Sequence, residues 1–484
     1  MYKLKYKDVV MRSLFIIIAS VVLVAISSCY TTAKSGQKGA ADLKPRIIVI
    51  TDIAPATIEP DDMESLIRLL VHADMFEIEA IIASSGWNSG NYPISWMDSL
   101  RTTINAYEKD LPNLIKRSGQ TSWLPIEKEN QKQSIGYWPS AEYLRSRIAM
   151  GSVKSGIAAL GQDNDSEGSA LIIKIVDEAD DRPVWVTVWG GANTLAQALW
   201  RVKQERSTDD LNKFLNKLRV YTITDQDMPY SERMNLAYSS HKWMRSEFEK
   251  ELLFIWDESA WLSQNSIGSR NWSEYQKHIQ GHGNLGSIYP DFKWGVEGDT
   301  PSFLHVMPNG LNNPNYPEQV GWGGYFVFSE SKDKSTFCYT NFSDEIKKIS
   351  QKYESYFYPA IFNNFAARMD WAAYGEGNRN PIAIVNGKKG LDMIAVKAKS
   401  GKEVFLDGSN SYDPDGDSLT FKWWIQPEAG TYNGQLMIKD ANSAKPSVMI
   451  PTDAAGKSIH IILEVNDNGE PMLTSYRRIV INVN

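Results

Sequence analysis

Asp52, Asp61 and Asp62 are the residues whose types and spacing most readily do chemistry. Asp52 closes the run Ile47-Ile48-Val49-Ile50-Thr51-Asp52, and a short loop then leads to Glu59-Pro60-Asp61-Asp62 and an apolar-periodic stretch from Met63 to Val71. A β-branched run without charge reads as a buried parallel strand, and carboxylates gathered at its carboxyl end are costly to bury unless a cation joins them. Oxygen-only ligand sets suit Ca²⁺ or Mg²⁺, and the carboxyl ends of parallel strands are where open α/β sheets bind their ligands. A plainer explanation stands beside this one: Asp61 and Asp62 cap the helix that begins near Met63, and Asp52 merely ends a strand.

The elements that must position these groups follow from the apolar patterning. Residues 76–85 read as a second buried strand, ending at Gly86-Trp87-Asn88, and the strand, helix, strand spacing predicts a βαβ unit in a mostly parallel sheet. A helix over 169–180 precedes a third strand at 183–189, which runs into Gly190-Gly191-Ala192-Asn193. Glycines between a strand and a helix let the backbone approach a ligand closely. A fourth strand, 218–224, delivers Asp225 and Asp227 to the same sheet edge, either as part of a shared site or as the closure of a turn; a fifth covers 252–256. Residues 97–150 read as helix and loop, with 134–139 as a substrate-side loop. His278 and His282 offer a His-x-x-x-His spacing, but without a nearby Glu base or Cys it points only weakly to zinc.

The chain has 484 residues, enough for one large domain and a smaller one. From about residue 381 the pattern changes to short alternating strands, clearest at 403–424, 459–466 and 476–483, which predicts a β-sandwich. Within it, Asp413, Asp415 and Asp417 fit either a calcium site or a tight turn. The net charge of −7, without a basic cluster, gives no electrostatic reason to bind nucleic acid. The 16 Trp and 22 Tyr suit sugar-stacking surfaces or an aromatic-rich core, and the core is expected to take most of them. Lys3, Lys5, Lys7 and Arg12 precede an apolar run from Leu14 to Ile26 and then Ser27-Ser28-Cys29, so residues 1–29 read as a signal peptide. Residues 30–44 form a tether, and Cys338 is left without a disulfide partner, so a large core must stabilise the exported domain.

Thr51-Asp52, Glu59-Pro60-Asp61-Asp62 and the following Ser65-Leu66-Ile67-Arg68 resemble the opening of the nucleoside hydrolase-like domain of the cellulose-binding Sde182 family. A second block, Glu297-Gly298-Asp299-Thr300-Pro301-Ser302-Phe303, resembles a later block of the same family. The domain is similar in turn to nucleoside hydrolases, which open on Asp-Thr-Asp-x-Gly-x-Asp-Asp; here Ile50 stands at the first Asp and the loop from Asp52 to Asp61 is longer. The resemblance implies a nucleoside hydrolase-like domain over 45–380 and an Ig/PKD/cadherin-like sandwich over 381–484. It implies a Ca²⁺ or Mg²⁺ held by Asp52, Asp62, Asp299 and the carbonyl of Asn193, with Asp52 as base and Asp61 gripping substrate hydroxyls. Asn88, Asn193, Asp225, Asp227 and Glu297 fall on the substrate side. The end of the signal peptide resembles a bacterial lipobox, which implies lipidation of Cys29 and anchoring to the cell envelope, at the outer membrane. Two functions follow as expectations: a calcium-dependent hydrolase of glycosidic or N-glycosidic bonds in a glycan fragment or nucleoside-like substrate, or a non-catalytic carbohydrate-binding lipoprotein.

Overall fold

The five charge-poor runs fold as the centre of one sheet. A computed structural model describes residues 43–88, 93–125, 132–228, 235–258 and 260–484; the expected signal peptide, Cys29 and most of the tether lie outside the described residues. The strands are β1 (Arg46–Thr51), β2 (Glu77–Ala83), β3 (Ile148–Met150), β4 (Val184–Val188), β5 (Leu218–Ile223), β6 (Leu253–Asp257), β7 (Val327–Glu330) and β8 (Phe337–Thr340). They lie in the order β3-β2-β1-β4-β5-β6-β8-β7, and only the edge strand β7 runs antiparallel. Every residue of β1, β2 and β4 is buried, as expected of strands covered on both faces.

From β1 the chain builds outward through β2 and β3, then returns to the other side of β1 with β4 and proceeds through β5 and β6. The order therefore reverses between β1 and β4, which is the point where open α/β sheets bind their ligands. Helices α1 (Asp61–Leu70), α2 (Pro93–Ser118), α3 (Glu167–Asp177), α4 (Asn193–Glu205), α5 (Ser240–Glu247), α6 (Thr300–Leu304) and α7 (Asp344–Tyr374) include the main layers on the two faces. One core joins α1 and α7, through Leu66, Leu69, Phe365 and Met369, to Ile47 and Val49 of β1; the other joins α3 and α4, through Ile172 and Leu195, to Ile48 and Ile50. The alternation along β1 thus feeds both layers. Trp96, Trp138, Trp185, Trp189 and Trp256 are fully buried, so much of the aromatic content is core. Cys338, on β8, is also buried, and burial pushes its thiol up to about 12. Among the described residues no helix is long and apolar enough to cross a membrane.

The C-terminal part holds two sheets, β10-β13-β12 and β11-β14-β15-β9, with β9 (Ile394–Ala398), β10 (Glu403–Phe405), β11 (Thr420–Ile425), β12 (Ile438–Lys439), β13 (Ser447–Met449), β14 (Ser458–Asn466) and β15 (Thr474–Val483). Leu406 and Val448 from one side and Trp423, Ile461, Leu463 and Ile479 from the other share a single core, which makes this a β-sandwich. Its Asp413 accepts from the backbone N–H groups of Asp415 and Asp417, closing a turn, while Asp415 pairs with Arg117 and Arg379.

The stretch 134–139 corrects its expectation. Gly136 N donates to Asp74 O, and Leu43 bridges to Ser134, so this loop packs where the strands begin, at the edge opposite the carboxylates.

Candidate active site

Asp52 is the residue that follows β1, at the reversal point of the sheet, and glycines close in on it from both neighbouring strands. A Cβ on Gly86, after β2, would lie 2.5 Å from Asp52 Oδ2, and one on Gly190, after β4, would lie 2.4 Å from Oδ1. Any side chain there would displace the carboxylate. Asn88 N donates to Asp52 Oδ2 at 3.3 Å. Asn88 also accepts from Gly86 N at 3.0 Å and donates to Ser84 O at 3.2 Å, so its side chain closes the turn beneath Asp52.

The Asp61-Asp62 pair belongs to the first turn of α1, but not as caps. The N-cap is Pro60 and carries no side-chain cap bond. Asp62 instead accepts from the hydroxyl of Thr51, the last residue of β1. Asp61 Oδ1 is buried without a hydrogen-bond partner. Asp299 stands at the N-cap of α6, also without a side-chain cap bond, and its Oδ2 is likewise buried and unpartnered. Sequence reasoning missed a fifth carboxylate. Oxygens of Glu59, Asp61 and Asp62 lie within 4.8 Å of one another. The signal was present in the Glu-Pro-Asp-Asp run, but a Glu before Pro reads as loop punctuation.

Electrostatics bind the five into one centre. Burial, then the Asp61 charge, raises Asp52 to about 7. Burial, then Asp61 and Asp52, raises Glu59 to about 11. Burial raises Asp61, and burial with the neighbouring carboxylates pushes Asp62 and Asp299 well above the usual range. No Lys or Arg stands among the largest influences on these five carboxyls. Buried carboxylates in such a group share protons or accept a cation. The all-oxygen donor set and the two orphaned oxygens fit a hard divalent ion.

The remaining sequence-predicted residues are committed to the walls of the site. Asn193 opens α4, where its amide donates to Ser85 O at 2.5 Å and accepts from Ser84 Oγ at 2.7 Å, tying the ends of β2 and β4 together. Asp227 accepts from Ala192 N at 2.5 Å, Ser240 Oγ at 2.5 Å and His241 N at 2.6 Å, so it holds the start of α5 against the β4 turn. Asp225 accepts from Ser239 Oγ at 2.6 Å, and burial beside Asp227 raises it to about 8. Glu297 lies 2.8 Å from Arg68 of α1 and accepts from Tyr275 Oη at 2.9 Å; its backbone N–H donates to Glu64 Oε2 at 2.6 Å. Its φ of 55° is a left-handed conformation unusual outside glycine, held by these contacts two residues before Asp299. The next residue must be small: a Cβ on Gly298 would lie 2.5 Å from Asp61 Oδ2. His278 and His282 pair with Glu274 and Asp370, away from this centre.

Comparison with known proteins places this geometry. Residues 46–326 match the nucleoside hydrolase-like domain of cellulose-binding Sde182, and residues 403–483 match the C-terminal domain of cellulose-binding protein Sde0182. A solved structure, described as a nucleoside hydrolase-related hypothetical protein from Saccharophagus degradans that is associated with carbohydrate metabolism, is 36% identical. It overlays with a TM-score of 0.75, covering 91% of this chain and 100% of that one. The PKD domain of the KIAA 1837 protein (16% identity, 19% of this chain and 82% of that chain, TM-score 0.15) and mouse cadherin-23 (12% identity, 22% and 33%, TM-score 0.17) overlap too little to argue from. No curated protein matches the chain significantly. With the first of these domains spanning more than half of its length, the chain belongs to the cellulose-binding Sde182 family.

Proposed function

We propose that the chain is a divalent-cation-dependent hydrolase of glycosyl bonds acting on a carbohydrate. The observation that carries this reading is the meeting of buried Asp52, Asp62 and Asp299 with half-buried Glu59 and Asp61 at the reversal point of the sheet, with one oxygen each of Asp61 and Asp299 unpartnered. Asp52, Asp62, Asp299 and the Asn193 carbonyl would hold Ca²⁺, and Glu59 is added to that set. When bound, the ion supplies Lewis acidity that lowers the pKa of a water. Asp52 would take the proton of that water as general base; without a cation, burial and the Asp61 charge raise its carboxyl to about 7, and a bound ion would favour the carboxylate that a base needs. Asp61, with a free carboxylate oxygen, accepts hydroxyl hydrogens of the sugar, and Gly86 and Gly190 keep Asp52 in one orientation. The family and neighbour descriptions, which name cellulose binding and carbohydrate metabolism, favour a glycan over a free nucleoside.

Elemental analysis of the purified protein tests this directly. One calcium per chain, lost in Asp62→Ala, is expected, and Asp52→Asn should abolish release of reducing sugar from glycans while sparing glycan binding. Absence of bound metal with calcium supplied would sink the hydrolase. Ile50 favours a second reading: an inert, buried side chain stands where nucleoside hydrolases open with an Asp, as expected if the centre now only binds carbohydrate. Glycan binding with no turnover under calcium would select it. Lipidation at Cys29 would hold either protein at the cell envelope, and Cys29→Ala should move it from the detergent phase to the aqueous phase on Triton X-114 partition.

A further inference from the structure

The longer loop between Asp52 and Asp61 has a partner across the rim of the site. Lys293 Nζ donates to Thr57 O at 3.3 Å, two residues before Glu59, and the same ammonium lies 4.7 Å from the centre of the Trp294 ring. Trp294 itself is 64% exposed. The chain then turns sharply inward. Gly295 has φ of 142°, and a Cβ there would lie 2.5 Å from Asn265; Val296 is fully buried, and Glu297 to Asp299 enter the carboxylate centre. An indole that could have been turned inward with Val296 is instead held out in water, one face covered by Lys293, beside a loop that leads directly to the ligand set. Leaving a large aromatic surface in water forfeits the free energy of its burial, and this one stands at the start of the turn that carries Asp299 into the ligand set.

Resting on the carbohydrate reading above, we infer that Trp294 is the stacking platform of a sugar subsite at the rim of the carboxylate centre, and that it takes a pyranose of a neutral glucan. The open indole face matches the C–H face of a pyranose in size and polarity. The five carboxylates that the same turn leads to, on a chain of net charge −7, outweigh the single Lys293 ammonium over the ring and disfavour uronates and sulfated sugars. The lengthened loop then has a purpose: its Thr57 carbonyl anchors Lys293, and Lys293 steadies the indole.

Calorimetric titration of the full chain with cellotetraose and with tetragalacturonate, calcium present, tests the inference. Trp294→Ala should weaken cellotetraose about tenfold and Trp294→Tyr by no more than about threefold, as loss and retention of one stacking contact require. Calcium content should be unchanged in both variants, because Trp294 is not a ligand. Cellotetraose binding by Trp294→Ala as tight as that of the unsubstituted chain overturns the platform and leaves the carbohydrate reading standing. Tighter binding of tetragalacturonate than of cellotetraose overturns the choice of a neutral glucan. If the unsubstituted chain binds calcium but neither oligosaccharide, the platform and the carbohydrate reading fall together.

Discussion

At the scale of single residues, the site is a problem of charge held in place by backbone. Gly86 and Gly190 confine Asp52, Thr51 steers Asp62, and Asp61 and Asp299 each leave one carboxylate oxygen without a partner in the protein. The pH dependence follows from the sign of the shifts. Burial raises these carboxyls in the folded state, to about 7 for Asp52, so the cation-free fold holds more protons than the unfolded chain above about pH 4. It therefore loses stability as pH rises through that window, and a cation must displace protons to bind. Chelator-treated protein should melt at a lower temperature at about pH 7.5 than at about pH 5.5, with added calcium restoring more at the higher pH. Equal melting temperatures under chelator at the two pH values would refute this. Asp52, Asp61 and Asp62 were legible because three carboxylates beside an uncharged strand have few explanations. Glu59 was not, because its half-buried place beside Asp61 and Asp62 comes from how the 53–60 loop folds back. Nor were the partners of Asp227 legible, since Ser240 and His241 reach it only once α5 has docked.

At the scale of elements, α1 and the Glu297 to Asp299 turn are one unit. Arg68 near the end of α1 pairs with Glu297, Glu64 one turn earlier accepts from Glu297 N, and Arg68 also lies 4.3 Å from the Phe365 ring of α7. Burial raises Glu297 to about 7, with Arg68 opposing the rise. Removing one partner of so deeply buried a pair leaves an uncompensated charge, which costs about 3–5 kcal/mol. Arg68→Met should therefore lower the unfolding free energy read from urea denaturation by that amount and weaken calcium binding through Asp299. The double variant Arg68→Met, Glu297→Gln should recover part of the stability, and a double variant no more stable than the single one would count against the pair. The strands beside this unit were legible from their apolar runs, which are covered on both faces: β4 has no charge, β1, β5 and β6 have one charged residue each, and only β2, with Glu77 and Glu79, has two. Strand β3 has three residues and β7 alternates between half-buried and exposed, so neither stands out from loop in sequence.

At the scale of the whole molecule, the α/β part and the sandwich are locked by a buried cation. Arg478 of β15 donates to Leu311 O at 2.7 Å, Val320 O at 2.9 Å and Gln426 Oε1 at 2.5 Å, and burial lowers its pKa to about 9. Arg117 and Arg379 meet Asp415 at a second point. The change of texture near residue 381 announced two parts, but the lock was hidden, because an Arg in a strand reads as a solvent-facing residue. Arg478→Met should cost about 1–3 kcal/mol for each carbonyl left unpaired, lowering the midpoint of a single unfolding transition. Two separate transitions at unchanged midpoints would show that the parts are not coupled. The burial of Cys338 has a practical side. A chain starting at Asp42 carries it as the sole cysteine, and with its thiol raised to about 12 almost none is thiolate at neutral pH. Maleimide reagents should therefore pass it by, so a cysteine introduced on the exposed rim becomes the one reactive handle for a fluorophore or spin label, with the native sequence otherwise untouched.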